Sequence, residues 1–261
     1  MNLEEQLSIT YRQLRLIAGW SLIIAPLLIL AAAYLLEPTI KPTLSHYYFA
    51  EPNPGLVRTL FTGFLIFVGG ILIAYRGFDN RDNWIHNAAG VFAVCVAFFP
   101  KGCDSPPELY CTSGLLSPLH APSAVLVFVF AAWAVFNGGG FELRKRLIDE
   151  EVHTLQQARK ASLITMTAGV VLYVARPFLS RGIQDFKVTI LIVELLGFFG
   201  FAFHWLVMTS VIDKANLRII IKREESKSRE RELAKSLDSG ARQPEQQSVV
   251  YADGEDLTLI P

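Results

Sequence analysis

Six blocks of consecutive apolar residues constrain the fold of this chain more than any other feature. A helix needs about 20 mostly apolar residues to cross the hydrocarbon core of a bilayer, which is about 30 Å thick. Inside lipid the backbone must satisfy its own hydrogen bonds, so each block is expected to be helical. The blocks lie near residues 17–36, 56–75, 86–100, 121–136, 161–179 and 188–212. The sequence therefore predicts an all-α bundle of six transmembrane helices within residues 1–212.

The overall composition narrows the class of partner. Hydrophobic residues make up 52% of the chain and charged residues only 18%, which favours a protein embedded in lipid over a soluble domain. The formal net charge is +0, so the chain lacks the basic surplus that is expected of a nucleic-acid-binding protein. Membrane lipids are therefore the predicted partners, and nucleic acid is not.

Basic residues between the blocks predict how the bundle is oriented. One set of connecting segments contains Arg12, Arg15, Arg76, Arg81, Arg144, Lys145, Arg146, Arg159 and Lys160. The opposite set contains little beyond Lys41, Lys101, Arg181 and Lys187. Because lysine and arginine concentrate in cytoplasmic loops, we expect both termini to be cytoplasmic and Leu44–Gly55 to face outward.

Two cysteines flank "DSPPELY" in the loop before the fourth block, which is predicted to face outward. An oxidising compartment permits a disulfide between Cys103 and Cys111. Closing so small a loop contributes roughly 2–3 kcal/mol in the chain-entropy model. A metal pair is the weaker interpretation, because the spacing is wider than that of zinc ribbons. Cys95, inside the third block, is expected to be a small buried hydrophobe.

The composition changes after residue 212. Residues 213–261 mix charges of both signs, and pairs at i,i+4 spacing predict a solvent-facing helix in the first part. Beyond Gly240 few apolar residues remain to be buried, which predicts disorder. We interpret 213–261 as a charged cytoplasmic helix followed by a disordered tail. A cytoplasmic partner bound through this tail, and a homo-oligomer, are left open.

The outward segment "LSHYYFAEPNPG" carries more functional side chains than a plain connector needs. Ser45, His46, Tyr47 and Tyr48 lie just before the second block. Tyrosines at headgroup level are ordinary interface anchors, whereas His46 is a candidate hydrogen-bonding or ligating group. His120 enters the fourth block from the same side, where a histidine can cap a helix, transfer a proton or bind a metal.

Glu194 is an ionisable residue inside the sixth block. It lies about 10 Å below the outer end of its helix by helical rise, where an unpaired carboxylate costs several kcal/mol. We therefore expect it to face the bundle interior, with Arg176 near the end of the fifth block as counter-charge. Trp205 shares its helix face, since successive residues are about 100° apart. His204, about 15 Å deeper, is interpreted as a packing histidine.

These side chains map to the outer half of the bundle, which predicts one polar pocket open to the outside or to the outer leaflet. Its predicted lining residues are Ser45, His46, Tyr47, Tyr48, His120, Arg176, Glu194 and Trp205. His120 and Glu194 are the catalytic candidates. Together with His46 they are the metal-binding candidates, because histidine and carboxylate ligands can hold catalytic zinc. No cofactor is assigned.

Several motifs in a fixed order resemble an uncharacterised family of bacterial multispanning proteins. They are "LSHYYF", "RTLFTGFLIFVGGILIAYRGFD", "AGVFAVCVAFFP", "LH" entering a span, and "ELLGFFGFAFHWLV". The third span, ending in Phe-Pro and followed by Leu-His, is similar to the DUF998 membrane family, and the six-span layout is more distantly similar to the Frag1/DRAM group. The residues that carry the likeness are Ser45, Tyr47, Tyr48, Tyr75, Arg76, Gly77, Gly90, Pro100, His120, Glu194 and Trp205. The resemblance implies a multi-pass protein of the bacterial inner membrane and supplies no reaction.

Three functions compete for this pocket. The leading hypothesis is the binding of a lipid or amphiphile, since a mostly apolar cavity with a few convergent polar groups is the usual small-ligand site. The alternative is an intramembrane lipid hydrolase or transferase, with or without a metal, although the chain lacks H-E-x-x-H and G-x-S-x-G motifs. A proton-coupled transporter using Glu194 and His204 is third, and no inverted repeat supports it.

Overall fold

The computed structural model of the chain describes residues 3–36, 38–49, 55–99, 101–102, 115–175 and 188–238. Within these ranges all regular secondary structure is helical, which confirms the predicted all-α class. The helices are α1 (Leu3–Leu36), α2 (Leu56–Ala74), α3 (Asn80–Phe98), α4 (His120–Asn137), α5 (Gly140–Lys145), α6 (Asp149–Ala175) and α7 (Thr189–Asp238). Short 3₁₀ helices cover Leu44–Phe49 and Ser117–Leu119.

Within the described residues, four stretches are long and apolar enough to cross a bilayer. They are Ile9–Leu36, Leu56–Ala74, Ser117–Lys145 and Thr189–Ser236. They contain the first, second, fourth and sixth predicted spans. The third lies in α3, where polar residues of the first two turns lower the hydropathy. The fifth lies in α6, which begins with charged residues and whose described apolar part stops at Ala175.

Contacts between neighbouring helices close a ring. The chain packs α1 on α2, α2 on α3, α3 on α4, α4 on α6, α6 on α7, and α7 back on α1. The backbones of α2 and α3 approach closely at Gly69 and Gly90, where an added Cβ would lie 2.8 and 2.6 Å from the carbonyl oxygen of the opposite glycine. Small residues of this kind permit close packing of helices in lipid.

The antiparallel course of the helices gives the bundle two ends. At one end α1 and α3 stop and α2, α4 and α7 start, and we call it the His120 end. At the opposite end, called the Arg15 end, α2 and α4 stop and α3 and α6 start. The last predicted span and the charged segment after it form a single helix, α7, without a break at residue 212.

The length of α7 carries it well past the other helices. Its 50 residues extend about 75 Å at about 1.5 Å per residue, more than twice the hydrocarbon thickness of about 30 Å. Arg218 pairs with Glu151 of α6 at 3.1 Å, and from residue 224 to residue 236 every side chain is exposed. Residues beyond 238, including the predicted disordered tail, lie outside the described part of the chain.

Candidate functional site

The 3₁₀ helix Leu44–Phe49 and the residues before it cover the His120 end of the bundle. Thr43, Ser45 and His46 are each at most 9% exposed. The segment is tied to α7 by a backbone hydrogen bond in which the Leu191 amide donates to the Pro42 carbonyl at 2.8 Å. Buried polar groups need hydrogen-bond partners, so the partners of these side chains define the site.

His120 joins this segment to the start of α4. Its Nδ1 lies 2.6 Å from the Phe99 carbonyl oxygen, and its Nε2 lies 2.9 Å from Ser45 Oγ. A carbonyl oxygen can only accept, so Nδ1 carries the ring proton. In the neutral imidazole Nε2 is then the acceptor, and the Ser45 hydroxyl donates to it.

His46 bonds to a different pair of groups. Its Nδ1 lies 2.7 Å from Thr43 Oγ1, and its Nε2 lies 2.6 Å from Lys101 Nζ. An ammonium group only donates, so Nε2 accepts from Lys101 and Nδ1 donates to the threonine hydroxyl. Lys101 did not figure among the predicted site residues. It is one of the few basic residues in its set of loops, and this rarity was the signal that the sequence offered.

Glu194 reaches the same segment from α7. Its Oε2 accepts a hydrogen bond from the Leu44 amide at 2.7 Å. Together with the Leu191 to Pro42 bond, this contact fixes the 3₁₀ helix on the first turns of α7. The predicted counter-charge, Arg176, lies outside the described residues.

Both tyrosines of the segment are buried. The Tyr47 hydroxyl accepts from the Lys41 amide at 2.9 Å. The Tyr48 hydroxyl accepts from the guanidinium of Arg58 at 2.6 Å, and that guanidinium lies 4.2 Å from the centre of the Tyr48 ring. The two side chains therefore hold the segment in place, and Arg58 adds a second cation that the sequence interpretation missed.

Trp205 is not brought into this group. It follows Glu194 by eleven residues on α7, or about 16 Å along the helix. Its side chain is 1% exposed, and its indole N–H donates to the Arg15 carbonyl at 2.9 Å. The structure therefore places Trp205 with groups toward the Arg15 end, and the site contains Ser45, His46, Tyr47, Tyr48, His120 and Glu194.

Metal ligation receives no support from the described residues, among which no three His, Cys, Asp or Glu side chains come together. Both ring nitrogens of His46 and of His120 already contact protein groups. Cys103 and Cys111, the predicted disulfide pair, lie outside the described residues. Cys95 is a partly buried free thiol.

A small apolar cavity lies further into the bundle from this polar site. Its volume is about 30 Å³, and its walls come from α1, α2, α3, α4 and α7. Phe64 and Phe128 both pack their rings against Phe198, with centroids 5.6 and 5.2 Å apart. This cavity has room for only one or a few water molecules, so it is too small for an acyl chain.

A second buried polar group lies at the Arg15 end, where no site was predicted. Asp82 of α3 is 1% exposed and accepts from the Phe78 amide at 3.2 Å and from the Asn137 amide group at 3.3 Å. His86 Nδ1 lies 2.8 Å from the Asp82 carbonyl oxygen. The i,i+4 spacing of Asp82 and His86 on one helix face was the signal for this group.

Tyr75, in the turn after α2, completes this second group. Its ring packs against His86 and Trp205, with centroids 5.0 and 4.9 Å apart. The group therefore anchors the turn between α2 and α3 to the bundle.

Comparison of the chain with protein-family models, with curated proteins and with solved structures finds no match. The resemblance to the DUF998 family therefore stays a prediction, and the geometry alone supports the function.

Proposed function

We propose that the chain is a six-span protein of the bacterial inner membrane whose His120 end faces outward and binds the polar head of a lipid or amphiphile. The orientation is supported by the charge distribution, because Arg12, Arg81 and Arg144 lie at the Arg15 end and lysine and arginine concentrate on the cytoplasmic side. Both termini are then cytoplasmic.

The convergence of polar groups on the segment 42–48 carries the proposal. Side chains from α2, α4, α7 and the Lys101 loop all hydrogen-bond to it. His120 is buried, Glu194 and Lys101 are partly buried, and Arg58 is exposed. Lys101 and Arg58 supply positive charge beside His46 and Tyr48, respectively. Charged donors of this kind form the strongest hydrogen bonds to phosphate or carboxylate oxygens. The small volume of the apolar cavity between the described helices means that the tail of an amphiphile would lie along the outside of the bundle, in lipid.

The lipid content of purified protein tests this proposal. Wild type, His120→Ala and Glu194→Leu are purified in one detergent, and the lipids retained per chain are counted by mass spectrometry. We expect one lipid class to be enriched in wild type and lost in both variants. Ser21→Ala is the matched control, because its hydroxyl bonds to Ile17 of its own helix at 2.6 Å. Equal retention in all four proteins would contradict the proposal.

The hydrogen bond between Ser45 and His120 favours acyl transfer as a second candidate function. A hydroxyl that donates to a histidine, which is itself oriented through Nδ1, is the usual arrangement of an activated nucleophile. In such a reaction Ser45 Oγ would bond to the acyl carbon of an ester while its proton moved to His120 Nε2. That proton would then pass to the leaving alcohol, and water would release the acyl group.

A fluorophosphonate probe separates the two functions. If acyl transfer occurs, the probe labels Ser45 in wild type and in Ser21→Ala, and labelling disappears in Ser45→Ala and His120→Ala. Binding without chemistry predicts no labelling of any of the four proteins above the background of a denatured sample.

A further inference from the structure

A cavity of about 140 Å³ opens at the Arg15 end, away from the site described above. Three parts of the chain line it: Tyr11 of α1, the turn Arg76–Phe78, and α5 with the residue after it. Two of its lining residues are arginines, Arg76 and Arg146. We propose that this cavity binds a phosphate-bearing anion, held between Arg76 and Arg146.

The charge of the lining supports an anionic ligand. Arg76 is exposed and has no hydrogen bond or ion pair with any residue in the described part of the chain. Glu142, the acidic group of the lining, is already paired with Lys145 at 2.9 Å. Arginine presents a planar fork of donors that matches two phosphate oxygens, and the cavity therefore offers positive charge together with the Tyr11 hydroxyl.

The turn that carries Arg76 is fixed before any ligand arrives. Asp79 caps α3 by accepting from the Asp82 amide at 2.7 Å, and Asp82 in turn accepts from the Phe78 amide. Gly77 has no room for a side chain, since an added Cβ would lie 2.5 Å from the Asn83 nitrogen. A preorganised backbone lowers the entropy lost on binding.

The opposite wall is equally well fixed. Gly138, Gly139 and Gly140 have φ of 56°, 77° and 74°, left-handed values that turn α4 sharply into α5. An added Cβ on Gly139 would lie 3.2 Å from the ring of Phe78, so the two turns are packed together. Arg146 follows α5, and its carbonyl accepts from Arg218 at 3.1 Å. Arg76 therefore lies on one of two turns that pack together, and Arg146 lies at the end of the short helix that follows the other.

The surroundings place the cavity at headgroup level. Trp84 and Phe141 are 55% and 68% exposed near this end. Exposed aromatic side chains mark the boundary between hydrocarbon and water. The ligand is thus a phosphate group at the membrane surface, carried by an anionic phospholipid or by a soluble phosphate compound.

Binding to the full chain in neutral detergent tests the site. The probes are short-chain phosphatidic acid, short-chain phosphatidylcholine and inorganic phosphate, and the readouts are calorimetric affinity and the thermal shift. The variants are Arg76→Gln and Arg146→Gln. Arg144→Gln removes the same charge from α5 at a position that does not line the cavity, and Arg229→Gln removes it from the exposed part of α7.

We expect phosphatidic acid to bind wild type and both controls alike and to bind each cavity variant about tenfold or more weakly, because a charged hydrogen bond is lost. If phosphatidic acid binds and inorganic phosphate does not, a lipid is the source of the phosphate group. If phosphatidic acid and inorganic phosphate bind with similar affinity, a soluble phosphate compound is the source. The proposal is overturned if neither phosphatidic acid nor inorganic phosphate binds, or if Arg144→Gln weakens binding as much as the cavity variants do.

Discussion

The hydrogen bond between Ser45 and His120 makes a quantitative prediction about stability. The side chains of Ser45 and His120 are 8% and 6% exposed, respectively. Removing either one therefore leaves the buried polar group of the other without this hydrogen bond. An unsatisfied buried donor or acceptor costs about 1–3 kcal/mol, and an ordinary hydrogen bond contributes about 0.5–1.5 kcal/mol. His120→Ala also loses the bond to Phe99, so we expect it to destabilise by about 2–4 kcal/mol and Ser45→Ala by about 1–2 kcal/mol.

A double-mutant cycle isolates the bond between the two residues. After His120→Ala, the serine hydroxyl has already lost its partner, and Ser45→Ala should then have little further effect. We expect an interaction energy of about 1–2 kcal/mol, within the range found for residues in direct contact. The free energy of unfolding is measured by titration with sodium dodecyl sulfate and tryptophan fluorescence.

A second pair of substitutions, at residues that are not in contact, serves as the control for the cycle. Ser21→Ala combined with His120→Ala should be additive within about 0.5 kcal/mol, as expected for distant sites. If Ser45→Ala and His120→Ala were additive to the same degree, the assigned hydrogen bond and its tautomer would be wrong.

Three further predictions concern other parts of the chain. Glu194→Leu should lower the free energy of unfolding by about 1–3 kcal/mol, because the Leu44 amide loses its acceptor, while Glu194→Gln should lower it less, since its carbonyl can still accept; thermal unfolding and amide exchange measure both. Gly77→Ala should lower the free energy of unfolding by about 1–3 kcal/mol through overpacking. Gly63→Ala should not reduce the melting temperature, because no atom lies within 4 Å of the added Cβ. Cys103 and Cys111 should resist alkylation until the protein is reduced, and free alkylation of both would exclude their disulfide.

The apolar blocks predicted the positions of the helices because lipid imposes a length and a composition on each span. Depth along those helices also predicted that His46, His120 and Glu194 belong to one end. It could not predict their partners, because depth does not specify how each helix is rotated about its axis. The bonds to Lys101 and to the Phe99 carbonyl depend on that rotation.

The Arg15 end was missed for a related reason. Hydropathy averages over all faces of a helix, so the predicted third span began near residue 86, although Asp82 is also buried in the bundle. The third helix accordingly begins at Asn80, six residues before the predicted span. The continuity of α7 was, in contrast, readable, since no glycine or proline occurs between Gly200 and Gly240.

The contact between α1 and α7 has a consequence for synthesis of the protein. The Trp205 indole reaches the Arg15 carbonyl across 190 residues of sequence. A ribosome that adds about 5–20 residues per second needs about 10–40 s to make that stretch. During this time the first helix has already left the ribosome and can pack on α2, while the surface of α7 that it will contact does not yet exist. Closure of the ring therefore waits for the last helix. A chain that is cut short before Trp205 would leave the Arg15 carbonyl of α1 without the indole that donates to it.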